Sequence, residues 1–136
     1  MPKTKKTRGA KKKSTLLTAK NTHRHALYQS AVQEPEADTR FMEERFCEKF
    51  GKSPILLRED FCGTGFLSAT WVKEKAHRRA VGYDLDQPTV EWGLENNISP
   101  LSTEEQARIE LRIADVLEAP LDPVDVVCAM NFSWWI

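Results

Sequence analysis

Leu57-Arg-Glu-Asp-Phe-Cys-Gly-Thr-Gly65 is the stretch that decides how this chain folds. Ahead of it, Pro54-Ile-Leu-Leu57 is a short apolar run bounded by a proline, which predicts a buried strand. Behind it, Phe66, Leu67, Ala69, Thr70 and Val72 open a helical pattern directly after the second glycine. A strand, a Gly-x-Gly turn and a helix in that order form a ligand-binding corner. Glycine lets the backbone come close to a ligand, and the first N–H groups of the helix have no partner within it.

Working outward, the same alternation recurs. Ala80-Val-Gly-Tyr-Asp84 predicts a second strand. Asp86 suits an N-cap and Pro88 a first-turn position for the helix that carries Val90 and Leu94. Ser102-Thr-Glu-Glu105 matches a capping box and opens a short helix to Arg108. Ile109 to Ala114 predicts a third strand, and the apolar run Val124 to Met130, broken only by Asp125, a fourth. These spacings require parallel strands joined by crossover helices, an α/β fold whose sheet is covered on both faces. Upstream, order is expected from about His25. Met42, Phe46 and Phe50 form a core stripe on a helix that Gly51 stops.

An acid closes each of the first three strands: Glu59, with Asp60 beside it, then Asp84, then Asp115. In open parallel sheets the carboxyl ends of the strands are where ligands bind, and an acid ending the second strand is placed to accept from ribose hydroxyls. Cys62 lies within the turn without a His or a metal-ligand partner at useful spacing, so it reads as a small packing residue, not a nucleophile. Cys47, Cys62 and Cys128 are too few and too scattered for a disulfide framework or a metal site, so no metal is expected.

The neutral net charge hides an asymmetry. Residues 1–33 hold nine Lys or Arg and no acid, while all twenty Asp and Glu fall in the remainder, against eleven basic residues. Residues 1–24 are expected to be a disordered basic tail, with weak, salt-sensitive contact to nucleic acid as its plausible use. No apolar run approaches the length of a membrane span or a signal-peptide core, and a cytoplasmic location is expected.

The string Leu57 to Gly65 resembles the first motif of class I S-adenosylmethionine-dependent methyltransferases, and Ala80 to Asp86, Ala114-Asp115-Val116 and Asp125 to Asn131 resemble the segments that follow it. The resemblance runs from about Leu56 to Ser133. It implies a Rossmann-like parallel sheet, here the first four strands in the order 3-2-1-4 of a seven-stranded fold, with residues 25–136 as the N-terminal part of a methyltransferase domain cut short. It also implies S-adenosyl-L-methionine as cofactor. Glu59 would face the methionine ammonium, with Cys62, Gly63, Thr64 and Gly65 forming the loop under methionine and ribose. Asp84 would hold the ribose hydroxyls and Leu85 would flank the adenine. Asp115 would take the adenine amino group, the Val116 N–H would meet the ring, and Asn131 would lie near the transferable methyl.

Phe61 departs from the family pattern, which has glycine there. Tyr28-Gln-Ser-Ala-Val-Gln33, taken with the first motif, is similar to an uncharacterised bacterial subgroup of the family. The resemblance leaves the methyl acceptor and any catalytic base unassigned, and it leaves the fourth strand as an open edge through which an oligomer is expected.

Two other readings compete. A dinucleotide-binding protein of the NAD type would place a third glycine where Ser68 stands, and its anionic pyrophosphate would be repelled by Glu59. A nucleic-acid-binding module driven by the basic tail lacks an aromatic and basic surface on the acidic body. No Lys-Ser/Thr follows the glycines, so the nucleoside-triphosphate loop is absent.

Overall fold

The structure is a computed structural model and describes residue 20 and residues 22–130. Most of the expected basic tail, together with Asn131 and the closing Trp134-Trp135-Ile136, lies outside the described residues.

Two helices precede the sheet where the sequence reading had one. α1 spans Arg24–Val32 and α2 spans Pro35–Phe50. The break falls at Gln33-Glu34 because Pro35 has no N–H to donate and a fixed φ, which suits the first turn of a new helix. Glu36 and Asp38 in that turn and Lys49 in the last complement the helix dipole. Gly51 ends α2 at φ 67°, its N–H donating to the Cys47 carbonyl at 2.8 Å.

Four strands follow: β1 Leu56–Asp60, β2 Arg79–Asp84, β3 Ile109–Ile113 and β4 Val126–Cys128. All pair in parallel, in the order β3-β2-β1-β4. Between β1 and β2 lies α3 (Phe66–Glu74); between β2 and β3 lie α4 (Gln87–Gly93), a π-helical turn over Leu94–Ile98 and α5 (Thr103–Gln106). The predicted capping box is complete: the Glu105 N–H donates to Ser102 Oγ at 3.2 Å, and the Ser102 N–H donates to Glu105 Oε2 at 2.9 Å.

Three expectations need correction. β1 begins two residues after Pro54 and includes Arg58, Glu59 and Asp60, so the acids belong to the strand itself. β4 is only three residues long, and Val127 and Met130 are exposed. Asp125, which interrupts the apolar run, accepts from the N–H groups of Ile55 (2.8 Å) and Leu56 (2.9 Å) and so starts the β1–β4 pairing.

The sheet is also two-sided in chemistry. Leu57, Ala80 and Val126 share a row and pack with Ala69, Trp71, Val72, Ile98 and Leu101 into one core. The alternate positions Arg58, Val81, Tyr83 and Arg112 line a depression of about 580 Å³ on the opposite face. There the Arg58 guanidinium stacks 5.0 Å from the Tyr83 ring centroid, and Arg112 donates to the Tyr83 hydroxyl at 3.1 Å. β3 therefore alternates in polarity and β1 in burial, and no residue of α1–α4 lines that depression.

The stripe on α2 is core only in part. Phe46 is buried and Met42 packs against the core, but Phe50 is 55% exposed and rests on Phe46 with ring centroids 4.6 Å apart. Holding α2 to α3 is a buried ion cluster. Arg78 is 1% exposed, pairs with Glu74 and with Glu43 (3.0 Å), and stacks 3.8 Å from the Trp71 ring. Desolvating a guanidinium is costly unless it is paired, and here two carboxylates and an indole face meet it.

Candidate cofactor site

The carboxyl ends of β1, β2 and β3 bring the predicted acids to one edge. Glu59 is fully buried. Its Oε2 accepts from Ser68 Oγ at 2.5 Å and from the Ser68 N–H at 3.1 Å, in the first turn of α3. Its Oε1 has no hydrogen-bond partner. Burial pushes the carboxyl up to about 7; the two Ser68 bonds oppose this, and the negative charges of Asp84 and Asp38 add to it. A buried carboxylate oxygen without a donor is costly, and a cationic group at that oxygen removes the cost. Ser68, which marks the departure from a dinucleotide fingerprint, is thus the residue that holds Glu59. Its mismatch to glycine was visible in the sequence, its partner was not.

The turn after β1 is tightly wound. Phe61, Gly63 and Gly65 all have positive φ, at 56°, 56° and 66°. The Cys62 N–H donates to the Tyr83 carbonyl at 2.9 Å, and the Gly65 N–H returns to the Cys62 carbonyl at 2.9 Å. Cys62 is fully buried beneath the loop, where its Sγ would lie 2.9 Å from a Cβ on Gly82, so its thiol packs against β2 and burial pushes its pKa up.

Asp84 ties this turn to β2. Its Oδ2 accepts from the Gly63 N–H at 2.8 Å and its Oδ1 from the Asp86 N–H at 2.9 Å. Each carboxylate oxygen keeps a further lone pair. Leu85, next along, is 67% exposed. The Ala114 N–H donates to the Asp84 carbonyl at 3.0 Å, which brings the β3 end beside it. Asp115 is half-buried, its Oδ1 accepting from the Leu117 N–H at 2.9 Å, and the carbonyl of half-buried Val116 accepts from Arg58 at 3.1 Å.

Gly93, which the sequence reading passed over, fixes how close α4 comes to the loop. A Cβ there would lie 2.2 Å from the Thr64 carbonyl oxygen. On the other side of the loop, Thr64 Oγ1 donates to Gln29 Oε1 at 2.8 Å. A cavity of about 130 Å³ opens between His25, Tyr28 and Gln33 and the Gly63, Thr64 and Thr89 positions. A second, of about 290 Å³, lies among Tyr28, Val32, Asp38, Leu67 and Met130.

Phe61 supports a prediction of its own. A bulky side chain in the left-handed region costs about 1–2 kcal/mol. Glycine at that position would lose about 0.4–1 kcal/mol through the greater freedom of the unfolded chain. Phe61 is 42% exposed, so truncation removes modest packing. Phe61→Gly is therefore expected to hold or raise the urea midpoint, while Phe61→Ala, which keeps the strain and loses the ring, lowers it. The reverse ranking would show that the ring's contacts outweigh the backbone strain.

Comparison with solved structures places this geometry. The chain is similar to the plantazolicin methyltransferase BpumL in complex with SAH (17% identity, TM-score 0.57, covering 77% of this chain and 39% of that one). It is similar to an RNA methyltransferase from Salinibacter ruber in complex with S-adenosyl-L-homocysteine (21% identity, TM-score 0.55, 72% and 60% covered). It is also similar to the glycopeptide N-methyltransferase MtfA complexed with sinefungin (16% identity, TM-score 0.54, 73% and 37% covered). The chain has the class I methyltransferase fold, as the motif resemblance implied, with the expected sheet order. It spans about 40–60% of the length of these three structures. No protein-family profile and no curated protein matches the sequence.

Proposed function

We propose that this chain is the S-adenosylmethionine-binding part of a methyltransferase. The observation that carries the reading is Glu59, a fully buried carboxylate whose Oε1 lacks a donor. It is the penultimate residue of the strand before a Gly-x-Gly turn in a class I methyltransferase fold. The cofactor's amino-acid end carries an ammonium, which supplies the missing donor and charge. The free lone pairs of Asp84 suit ribose hydroxyls, and exposed Leu85 offers an apolar face to adenine. Asp115 and the Val116 N–H follow at the next strand end.

When bound, the cofactor supplies an electrophilic methyl on a sulfonium. The residues of this chain bind it, orient it and keep water away. The acceptors of these neighbours, plantazolicin, RNA and a glycopeptide, differ in chemistry and single out no acceptor class. The dinucleotide alternative is weaker on geometry as well as sign. The Gly63 N–H, a donor that a pyrophosphate would use, already donates to Asp84.

Titration calorimetry on the chain with S-adenosylhomocysteine and with NAD tests the reading; tighter binding of NAD would overturn it. Asp84→Ala is expected to weaken adenosylhomocysteine binding by about 1.5–3 kcal/mol, the usual loss for hydrogen bonds to a charged group. Unchanged affinity in a variant with wild-type circular dichroism would remove Asp84 from the ribose site.

A further inference from the structure

The Tyr28–Gln33 segment takes no part in the reading above, yet it lies against the loop. No residue of α1 is fully buried and only Ala26 and Leu27 among its apolar residues are half-buried, so apolar packing holds this helix weakly. Polar contacts do. Gln29 Oε1 accepts from Thr64 Oγ1 at 2.8 Å and from Asn97 Nδ2 at 2.7 Å. Asn97 Nδ2 also donates to the Thr64 carbonyl at 3.0 Å, and Gln29 Nε2 donates to Asn97 Oδ1 at 3.3 Å. Asn97 reaches this position from the π-helical turn after α4, a distortion that recurs at functional sites. Beside the amides, His23 stacks on Trp92 at 5.3 Å, and His25 Nε2 lies 3.4 Å from Thr89 Oγ1.

Size is the second observation. The cavity between α1 and the loop is about 130 Å³, whereas small-molecule sites run to roughly 300–1,000 Å³. With α1 where it lies, the space between that helix and the loop holds only part of a ligand that has both an adenosine and an amino-acid end. The connection to α2 is suited to movement. Gln33 and Glu34 are non-helical, and buried Pro35 anchors the far side. Helices that lack buried contacts are the elements that open at least cost.

We propose that α1 is a lid on the cofactor loop, latched by Gln29 to Thr64 and Asn97 and hinged at Gln33-Glu34, that opens to admit the ligand and closes to retain it. The proposal rests on the cofactor reading, with Gln29 and Asn97 as positioning residues acting through Thr64. Its test is stopped-flow tryptophan fluorescence on the full chain with S-adenosylhomocysteine, comparing wild type, Gln29→Ala and Gln29→Glu. Loss of the latch speeds release by about tenfold in Gln29→Ala, on the scale of one or two net hydrogen bonds. The ligand-free melting temperature should fall by at most a few degrees, since no residue of α1 is fully buried. Gln29→Glu keeps the acceptor for Thr64 and Asn97 and restores slow release. Wild-type release rates in Gln29→Ala, with the ligand bound, overturn the lid while the cofactor reading stands. No binding to wild type overturns both.

Discussion

Gly93→Ala is expected to lower the melting temperature by about 10 °C, the scale of 2–4 kcal/mol in a domain of this size. In an ordinary helix the change would stabilise by about 1 kcal/mol, because alanine is the better helix former. Here the new methyl meets backbone. It would stand 2.2 Å from the Thr64 carbonyl oxygen, 2.6 Å from the Thr64 carbonyl carbon and 2.7 Å from its Cα. Backbone cannot rotate aside, so α4 and the loop must separate by about an ångström, and overpacking of this kind costs typically 1–3 kcal/mol or more. Moving Thr64 also strains the Gly63 N–H bond to Asp84 and the latch on Gln29. Affinity for adenosylhomocysteine should therefore fall with stability. Gly51→Ala is the control: its Cβ meets nothing within 4 Å, and only the positive φ of 67° is penalised, by about 1 kcal/mol. Equal melting temperatures for the two variants would show that the loop moves aside freely and that the close approach has no structural weight.

The strands themselves and the placement of Glu59, Asp84 and Asp115 were legible because each depends on local pattern, whereas the sheet order came from the family resemblance. A strand, a turn and a helix can be read within a dozen residues, and an acid ending a strand is fixed by its position. Features that depend on distant partners were not legible. Gln29 meets Thr64 and Asn97 across 35 and 68 residues of chain, in a helix with no buried face to announce its docking. Gly93 gave no signal in the sequence, since a requirement for close approach is invisible without the Thr64 backbone beside it. Phe50 was read as core from its spacing, but α2 ends at Gly51 and exposes its last turn. Asp125 looked like an interruption of an apolar strand, yet its carboxylate starts the pairing of β4 with β1. The expectation of a sheet covered on both faces passed over the alternation of β3 and the Arg58–Tyr83–Arg112 ladder on the second face.

Glu59 should give the chain opposite pH dependences for stability and for ligand affinity. Its carboxyl rises from the ordinary 4.5 to about 7, first through burial and further through Asp84 and Asp38, against the bonds from Ser68. The folded state therefore holds a proton that the unfolded chain has released. Stability from this group is fully present below about pH 4.5 and is lost as pH rises to 7 and beyond. The gap corresponds to about 3 kcal/mol. Glu59→Gln mimics the protonated form and keeps an oxygen for Ser68. At pH 8 the variant should be more stable than wild type by up to about 3 kcal/mol, and at pH 4 the two should nearly coincide. Parallel stability curves for the two proteins from pH 4 to 8, measured by urea denaturation, would show that Glu59 is not held protonated. A cation at Oε1 reverses the balance, because it favours the charged carboxylate. Affinity for adenosylhomocysteine should rise through the same window in wild type and stay flat in Glu59→Gln. Binding at pH 6 should release close to one proton, read by calorimetry in buffers of different ionisation enthalpy. Release of a proton by wild type and not by Glu59→Gln ties the ammonium to this carboxylate; equal release by both places the cation elsewhere.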